Sequence, residues 1–371
     1  MKDILYLLLA GGRGERLMPL TAKRPKPLVR FGSQGCLIDY TLYNCLLSEA
    51  GDVIVLTQYM SDMVDNYVGS KWMQAFLKTG RKIRTISSSA LDTGYYDGTA
   101  DAVYHVLSSF GKLPDHVVVL AGDHIYRMDY RNMVSFHLSG GNAATVGCIE
   151  CDPSQAHRFG IMDIDHDHLI TGFREKPDAR EIPEDRDHLN ASMGIYIFNC
   201  AVLMEYLTKN QREPSHDFGH DIIPEMVEDH EARAFHFRET DNSTPYWRDV
   251  GDLSAYWQAQ MELIENDIDL FNFSPVAGLS QLPFSRKDII WKYYNTNHKV
   301  VRSSVAHSAR IGRAVVTNSV LCPGVKIEDG ARIKNSVLLD GSEIAAGVDL
   351  SGCLVMPRSK ISAAAQVSIA I

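Results

Sequence analysis

Hydrophobic residues fall along this chain in two kinds of pattern. Short unbroken apolar runs occur at Ile4–Leu9, Val53–Thr57 and Val117–Leu120. A strand with one wet face would alternate apolar and polar side chains, so unbroken runs predict strands covered on both faces. Between the first two, Leu37–Ser48 places Ile38, Leu42, Cys45 and Leu46 on one side at helical spacing. Strand, helix, strand predicts a parallel sheet with right-handed crossovers. Gly98 and Thr99 open a second helical segment carrying Val103, Val106 and Leu107, and Leu253–Ile264 reads as a helix closing the region. From Glu265 to about Lys299 the periodicity stops, and Pro275, Gly278 and Pro283 mark a linker. Beyond it Val315, Leu321, Ile327, Ile333 and Leu339 recur every six residues, with Gly312, Gly324, Gly330, Gly341 and Gly347 at turns. A hexapeptide period predicts a parallel β-helix, whose coils bury their apolar faces only by stacking. The expected plan is therefore an α/β domain over 1–265, a linker over 266–300 and a short hexapeptide-repeat domain over 301–371.

Composition narrows the classes. A chain of 371 residues, 45% hydrophobic and 22% charged, has the make-up of a globular protein of two domains. The formal net charge of −9 argues against a nucleic-acid binder, which needs a basic surface. Seven scattered cysteines without a Cys-x-x-Cys pair predict reduced thiols and a cytoplasmic protein. No apolar run reaches the length of a membrane span.

The chemistry concentrates where strands end. Leu9 and Ala10 lead into Gly11, Gly12 and Gly14, followed by Arg16, Pro19 and Lys26. Glycines let the backbone approach a ligand, and consecutive amide N–H groups form an anion-binding concavity. Arg16 and Lys26 add cationic donors, so the expected guest is a polyphosphate. The spacing is neither Gly-x-Gly-x-x-Gly nor Gly-x-x-x-x-Gly-Lys-Ser/Thr. Gln58 follows the second strand, at the end where open α/β sheets bind ligands. Tyr96 offers a ring face and a hydroxyl, and Gly98–Thr99 a close backbone approach at a helix start. Asp123 follows the third strand and is the best candidate for Mg²⁺, which is held by one or two carboxylates plus substrate phosphates. Asp249, in Tyr-Trp-Arg-Asp-Val-Gly, offers a second carboxylate. His124 reads as a packed or hydrogen-bonding residue. Asp217 reads equally as part of a sugar pocket and as a helix cap.

Gly-Gly-x-Gly-x-Arg-Leu-x-Pro-Leu-Thr with a following Lys-Pro resembles the signature of the sugar-nucleotide pyrophosphorylases. Asp-His-Ile-Tyr, Gly-Thr-Ala-Asp-Ala, Ser-Met-Gly-Ile-Tyr, Ser-His-Asp-Phe-Gly and Tyr-Trp-Arg-Asp-Val-Gly narrow the resemblance to the glucose-1-phosphate adenylyltransferases. It implies a Rossmann-like, mostly parallel nucleotidyltransferase domain and a short left-handed parallel β-helix. It implies ATP and α-D-glucose 1-phosphate as substrates, ADP-glucose and pyrophosphate as products, and Mg²⁺ on Asp123 and Asp249. Arg16, Lys26 and Asp123 take catalytic positions. Leu9, Ala10, Gly11, Gly12, Gly14, Gln58, Gly98 and Thr99 bind the nucleotide. The resemblance places Gly160, Glu175, Lys176 and Ser192 on the sugar phosphate and Tyr96 in its pocket, with Asp217 still read as part of that pocket or as a helix cap. Lys23 and Arg24 match basic positions linked in that family to regulation by fructose 1,6-bisphosphate and AMP. Assembly into a tetramer, of like chains or with a homologous subunit, is implied as well, without nucleic acid or membrane partners. Asp97 and Tyr95 depart from the family's common Arg and Trp, and the β-helix is short for a bacterial member. UTP or dTTP in place of ATP, a non-catalytic subunit, and a β-helix acyltransferase built on His307 are the rival readings.

Overall fold

The computed structural model describes residues 3–33, 35–91, 94–182, 186–238, 244–266, 268, 270, 293–295 and 298–362. The linker residues Pro275, Gly278 and Pro283 lie outside them. Two compact units are present, and neither is one stretch of chain. The first comprises Met1–Gly11, Thr41–Gly122 and Met128–Tyr246; the second comprises Gly12–Tyr40, Asp123–Arg127 and Trp247–Ile371.

The first unit is built on a nine-stranded sheet. Its parallel centre runs His116–Ala121, Ile4–Leu9, Asp52–Thr57, Lys82–Ser87, with Leu7 opposite Val119 on one side and Ile54 on the other. The unbroken apolar runs are here because both faces are covered: Leu5, Leu7, Leu8, Val117 and Val119 are all buried. On one face Leu5, Leu7, Val117 and Val119 join Val103, Val106 and Leu107 of the Thr99–Ser108 helix and Leu203 and Leu207 of the Cys200–Asn210 helix. Six of the nine strands are not evident as apolar runs: Lys82–Ser87 in the parallel centre and five others. Leu189–Asn199 pairs antiparallel with His116–Ala121, Ala144–Cys151 and Gly160–Ile164; Ile170–Glu175 lies outside Gly160–Ile164. Ala232–His236 runs parallel to Ala144–Cys151.

The second unit contains the left-handed parallel β-helix, three ladders of short parallel strands. Its register advances 17 residues per coil from Val315 to Arg332 to Asp349, after a first step of 16 from Lys299. The strict six-residue spacing therefore misplaces one residue. Val315 points outward, 40% exposed, and Val316 fills the interior at 0%. A 17-residue coil is one short of three hexapeptides, so the inward position slips by one. One corner of successive coils takes a left-handed backbone at Asn318, Asn335 and Gly352 (φ 53°, 48° and 65°), residues that tolerate it. Buried hydroxyls tie the coils there: the Ser319 amide donates to Ser303 Oγ and the Ser336 amide to Ser319 Oγ.

One ladder of this β-helix is buried on both sides: Val320, Leu321, Val337, Leu338, Leu354 and Val355 all lack exposure. Its outer cover is the stretch around Phe31 together with the Leu253–Glu265 helix. Ser304 Oγ donates to Ser33 Oγ at 2.8 Å, and Trp257 Nε1 to the Asn335 carbonyl at 3.0 Å. Phe31 stands edge-on to Tyr256 at 5.9 Å, and the Gly32 amide donates to Gln260 Oε1. Phe31 and Tyr256 are fully buried, each burial stabilising by roughly 2 kcal/mol. The glycine-rich segment is thus built into the same unit as the C-terminal coils.

Candidate active site

The second unit holds the charged cluster. Gly14 adopts φ +67°, and a Cβ there would stand 2.8 Å from Lys26 Cβ and 3.0 Å from Thr21 Cγ2. Only glycine satisfies both the conformation and the space. Thr21 Oγ1 donates to the Gly14 carbonyl at 2.8 Å, pinning the turn. Lys26 opens a three-residue 3₁₀ turn, Lys26–Leu28, between Pro25 and Pro27.

Asp123 and Asp249 reach this turn on a two-stranded antiparallel ribbon. His124–Tyr126 pairs with Trp247–Asp249, His124 opposite Asp249. Lys26 Nζ donates to Asp123 Oδ2 at 2.7 Å and lies 3.9 Å from Asp249 Oδ1. His124 Nε2 is 3.8 Å from Asp123 and 4.0 Å from Asp249, with the ring edge-on to Trp247. Its Nδ1 is buried without a hydrogen-bond partner. A Cβ on Gly251 would meet Arg16 Nη2 at 3.1 Å and Asp249 Oδ2 at 3.2 Å. Gly251 therefore leaves room for the Arg16 guanidinium beside Asp249.

Burial opposes charge on both partners, and pairing overcomes it. Burial alone would raise the Asp123 carboxyl; the charge and hydrogen bond of Lys26, with His124, hold it down at about 2. Burial would lower the Lys26 ammonium; Asp123 and Asp249 raise it above its ordinary value. Lys26 is therefore a fixed positive charge and Asp123 a fixed negative one near neutral pH. Among the described residues no three His, Cys, Asp or Glu form a complete metal cage. Two carboxylates converging on one ammonium nitrogen fit Mg²⁺ of the kind whose shell is completed by phosphates.

In the same unit Lys23 is exposed and Arg24 half-buried. Arg24 is 3.6 Å from Asp340 Oδ2 and donates to the Leu28 carbonyl. Gly12 is exposed, and a Cβ there would meet nothing within 4 Å.

The first unit holds the remaining predicted residues. Leu9 ends the first strand, and the amide of Ala10, just beyond it, donates to the Leu56 carbonyl. Gly11 faces Gln58, whose Cβ would be 3.2 Å from a Cβ on the glycine. The Gln58 amide is matched to the backbone of Tyr96: Nε2 donates to its carbonyl and Oε1 accepts from its N–H, both at 3.2 Å. Gln58 thereby fixes the loop before Gly98. Tyr96 Oη is buried without a partner. A Cβ on Gly98 would fall 2.2 Å from the His216 carbonyl oxygen; this contact, made possible by a bare backbone, locks Gly-Thr-Ala-Asp-Ala onto Ser-His-Asp-Phe-Gly.

Asp217 is the cap that its sequence allowed. Oδ1 accepts from the Gly219 and His220 amides and Oδ2 from Thr99 Oγ1. Glu175 lies over two glycines: a Cβ would stand 2.9 Å from its Oε2 on Gly160 and 2.7 Å on Gly219. Lys176 is paired with Glu175 and takes φ +45°. Ser192 is buried at a bulge of its strand, where its Oγ accepts from the Gly194 amide; nearby Tyr196 has Asp217 and Glu175 among its charge neighbours. Gly160, Glu175, Ser192, Asp217 and Thr99 therefore gather in one place. Three participants have no role in the sequence reading: Thr21 and Gly251, which stand inside quoted motifs, and Asp340. Gly251 could have been found, because it directly follows Asp249-Val250.

A nine-stranded sheet with a parallel centre, together with a glycine turn, an ammonium and two converging carboxylates, defines a nucleotidyltransferase. The family model described as nucleotidyl transferase matches residues 5–266, and one described as GlmU-like, C-terminal hexapeptide matches residues 288–370. Within that class, the chain belongs to the glucose-1-phosphate adenylyltransferase family. It is 37% identical to glucose-1-phosphate adenylyltransferase 2 of Alkalilimnicola ehrlichii, over 90% of this chain and 81% of the relative. The glucose-1-phosphate adenylyltransferase of Rhodopirellula baltica is 38% identical, over 89% and 73%. That of Hydrogenovibrio crunogenus is 37% identical, over 90% and 85%. None of the seven cysteines is in a disulfide. Among the described residues no helix is long and apolar enough to cross a membrane.

Proposed function

We propose that the protein transfers the adenylyl group of ATP to α-D-glucose 1-phosphate, giving ADP-glucose and pyrophosphate. The convergence of Asp123 and Asp249 on Lys26 carries this reading. A phosphate oxygen of the sugar phosphate attacks the α-phosphorus, and the bond from that phosphorus to the pyrophosphate oxygen breaks. The attacking group is already an anion, so no side-chain nucleophile or base is required, and the protein's work is positioning and charge compensation.

Asp123 and Asp249 would hold Mg²⁺, which neutralises phosphate charge when bound. Arg16 and Lys26 hold the triphosphate and the charge that develops on pyrophosphate. Leu9, Ala10, Gly11, Gly12 and Gly14 approach the nucleotide with backbone, while Gln58 shapes the Tyr96–Thr99 loop for it. Lys176 orients the attacking phosphate, and Glu175 accepts sugar hydroxyls. Tyr96, Gly160, Ser192 and Asp217 line the sugar's place, Asp217 by holding Thr99 and the Gly219 backbone. Lys23 and Arg24 are assigned to an anionic effector. Residues 1–265 form the catalytic domain, residues 301–371 the assembly domain, and the cytoplasmic enzyme is a tetramer, of like chains or with a homologous subunit.

Pyrophosphate release with glucose 1-phosphate and Mg²⁺, measured with ATP, UTP and dTTP in parallel, tests the reading. Turnover with ATP at least tenfold above the others is expected; preference for another nucleotide overturns the adenylyl assignment. No turnover with any of them overturns catalysis. Light scattering of the purified chain decides the tetramer.

A further inference from the structure

Lys26 sits on a turn that cannot hold itself. The Lys26–Leu28 turn has no side-chain hydrogen bond at its N-cap, Pro25, and two backbone hydrogen bonds, Leu28 to Pro25 and Val29 to Lys26. Isolated turns this short are unstable in water. Yet the Lys26 ammonium must be placed to within a fraction of an ångström to serve a phosphate oxygen.

Besides the burial of the turn and the pairing of Lys26 with Asp123, support comes from the β-helix. Arg24 and Arg30, on either side of Lys26 in sequence, both reach one carboxylate, Asp340, in the turn after the Val337–Leu338 strand. Arg30 Nε donates to Asp340 Oδ2 at 3.1 Å, and Arg24 Nη2 lies 3.6 Å from the same oxygen. Arg24 Nη1 also donates to the Leu28 carbonyl at 3.2 Å, closing the end of the turn. Asp340 Oδ1 is buried and has no hydrogen-bond partner, so this carboxylate is committed to the two guanidinium groups. All four residues belong to the second unit.

We propose that Asp340 is a positioning residue for the adenylyl transfer: by clamping Arg24 and Arg30 it fixes the turn that aims Lys26. This rests on the role assigned to Lys26 under Proposed function. The test is a double-mutant cycle on ATP binding, measured by calorimetry, with steady-state kinetics alongside. Asp340→Asn is expected to weaken ATP binding and kcat/KM for ATP about tenfold, with KM for glucose 1-phosphate unchanged. Asp340→Glu should recover most of the loss. In a Lys26→Met background Asp340→Asn should cost nothing further. Equal losses in both backgrounds, equal losses for both substrates, or no loss in a folded variant would overturn the proposal. If Asp340→Asn does not fold, Arg24→Gln removes the longer arm alone and is read by the same cycle. If Lys26→Met by itself leaves ATP affinity and turnover intact, the assignment of Lys26 is what fails, and the clamp falls with it.

Discussion

The two compact units use polar side chains in different ways. In the first, apart from the Glu175–Lys176 ion pair, the candidate binding residues are mostly spent on backbone: Gln58 on Tyr96, Asp217 on Gly219 and His220. In the second they are spent on each other as full charges, Lys26 on Asp123 and Asp249, Arg24 and Arg30 on Asp340. Side-chain bonds to backbone fix shape, each contributing about 1 kcal/mol net to stability. Buried charge pairs are poor stabilisers because desolvation consumes most of the attraction. A protein keeps such pairs where charge itself is needed, and phosphoryl chemistry needs it. The first unit is thus suited to recognising shape and the second to managing charge.

The comparison can be broken at four points. The largest expected effect is Asp123→Asn, which should cost about 3 kcal/mol of transition-state stabilisation, or two decades in kcat, with the fold retained. Turnover near that of the parent would remove the metal assignment. Acid is next, because each unit carries one carboxyl held at about 2, Asp123 and Asp221. Burial would raise Asp221 as well; hydrogen bonds from Ser215, His220, the Asp217 amide and Asn210 outweigh it. Both folded values lie below the ordinary carboxylate range, so the unfolded chain binds more protons in acid. The stabilisation is complete above about pH 5 and is lost as pH falls towards 2, by roughly 2 kcal/mol for Asp221. Asp123, with 31% of its side chain exposed, contributes less. Urea titrations at pH 6, 4 and 3 without divalent ions should show this, and Asp221→Asn should flatten the profile; an unchanged profile would contradict the assignment.

Third, Asp217→Ala removes a cap and should lower stability by about 1 kcal/mol. It should also cost kcat less than Asp123→Asn does. A rate loss as large as that of Asp123→Asn would mean that Asp217 acts as a charge, and the contrast between the units would fail. The smallest effect is Val315→Ser, which should stay within about 0.5 kcal/mol on an exposed site, whereas Val316→Ser should cost several times more. Equal melting points for the two variants would contradict the 17-residue register.

Some of this is legible in the amino-acid sequence. Ile4–Leu9, Leu37–Leu47 and His116–Ala121 form where apolar runs and helical spacing put them, because a buried parallel strand needs no partner-specific signal. Strands such as Gly160–Ile164 and Ala232–His236 left no such run. They mix buried and half-buried positions, and their pairing is set by neighbours distant in sequence. The six-residue spacing gave the β-helix, but the one-residue slip at Val315 depends on the real length of each coil.

The amino-acid order by itself settled which residue types were available: the glycine turn, its cations, the acids after the strands, and the repeat. Those are local properties, written in spacing and in the absence of side chains. Only the tertiary structure decided that Asp249 meets Asp123 across a two-stranded ribbon and that Asp340 clamps the lysine turn. It also decided that residues 12–40 share a compact unit with the C-terminal coils. Contacts between residues hundreds of positions apart depend on strand register and packing, and register is a property of the whole sheet or coil stack rather than of any one segment.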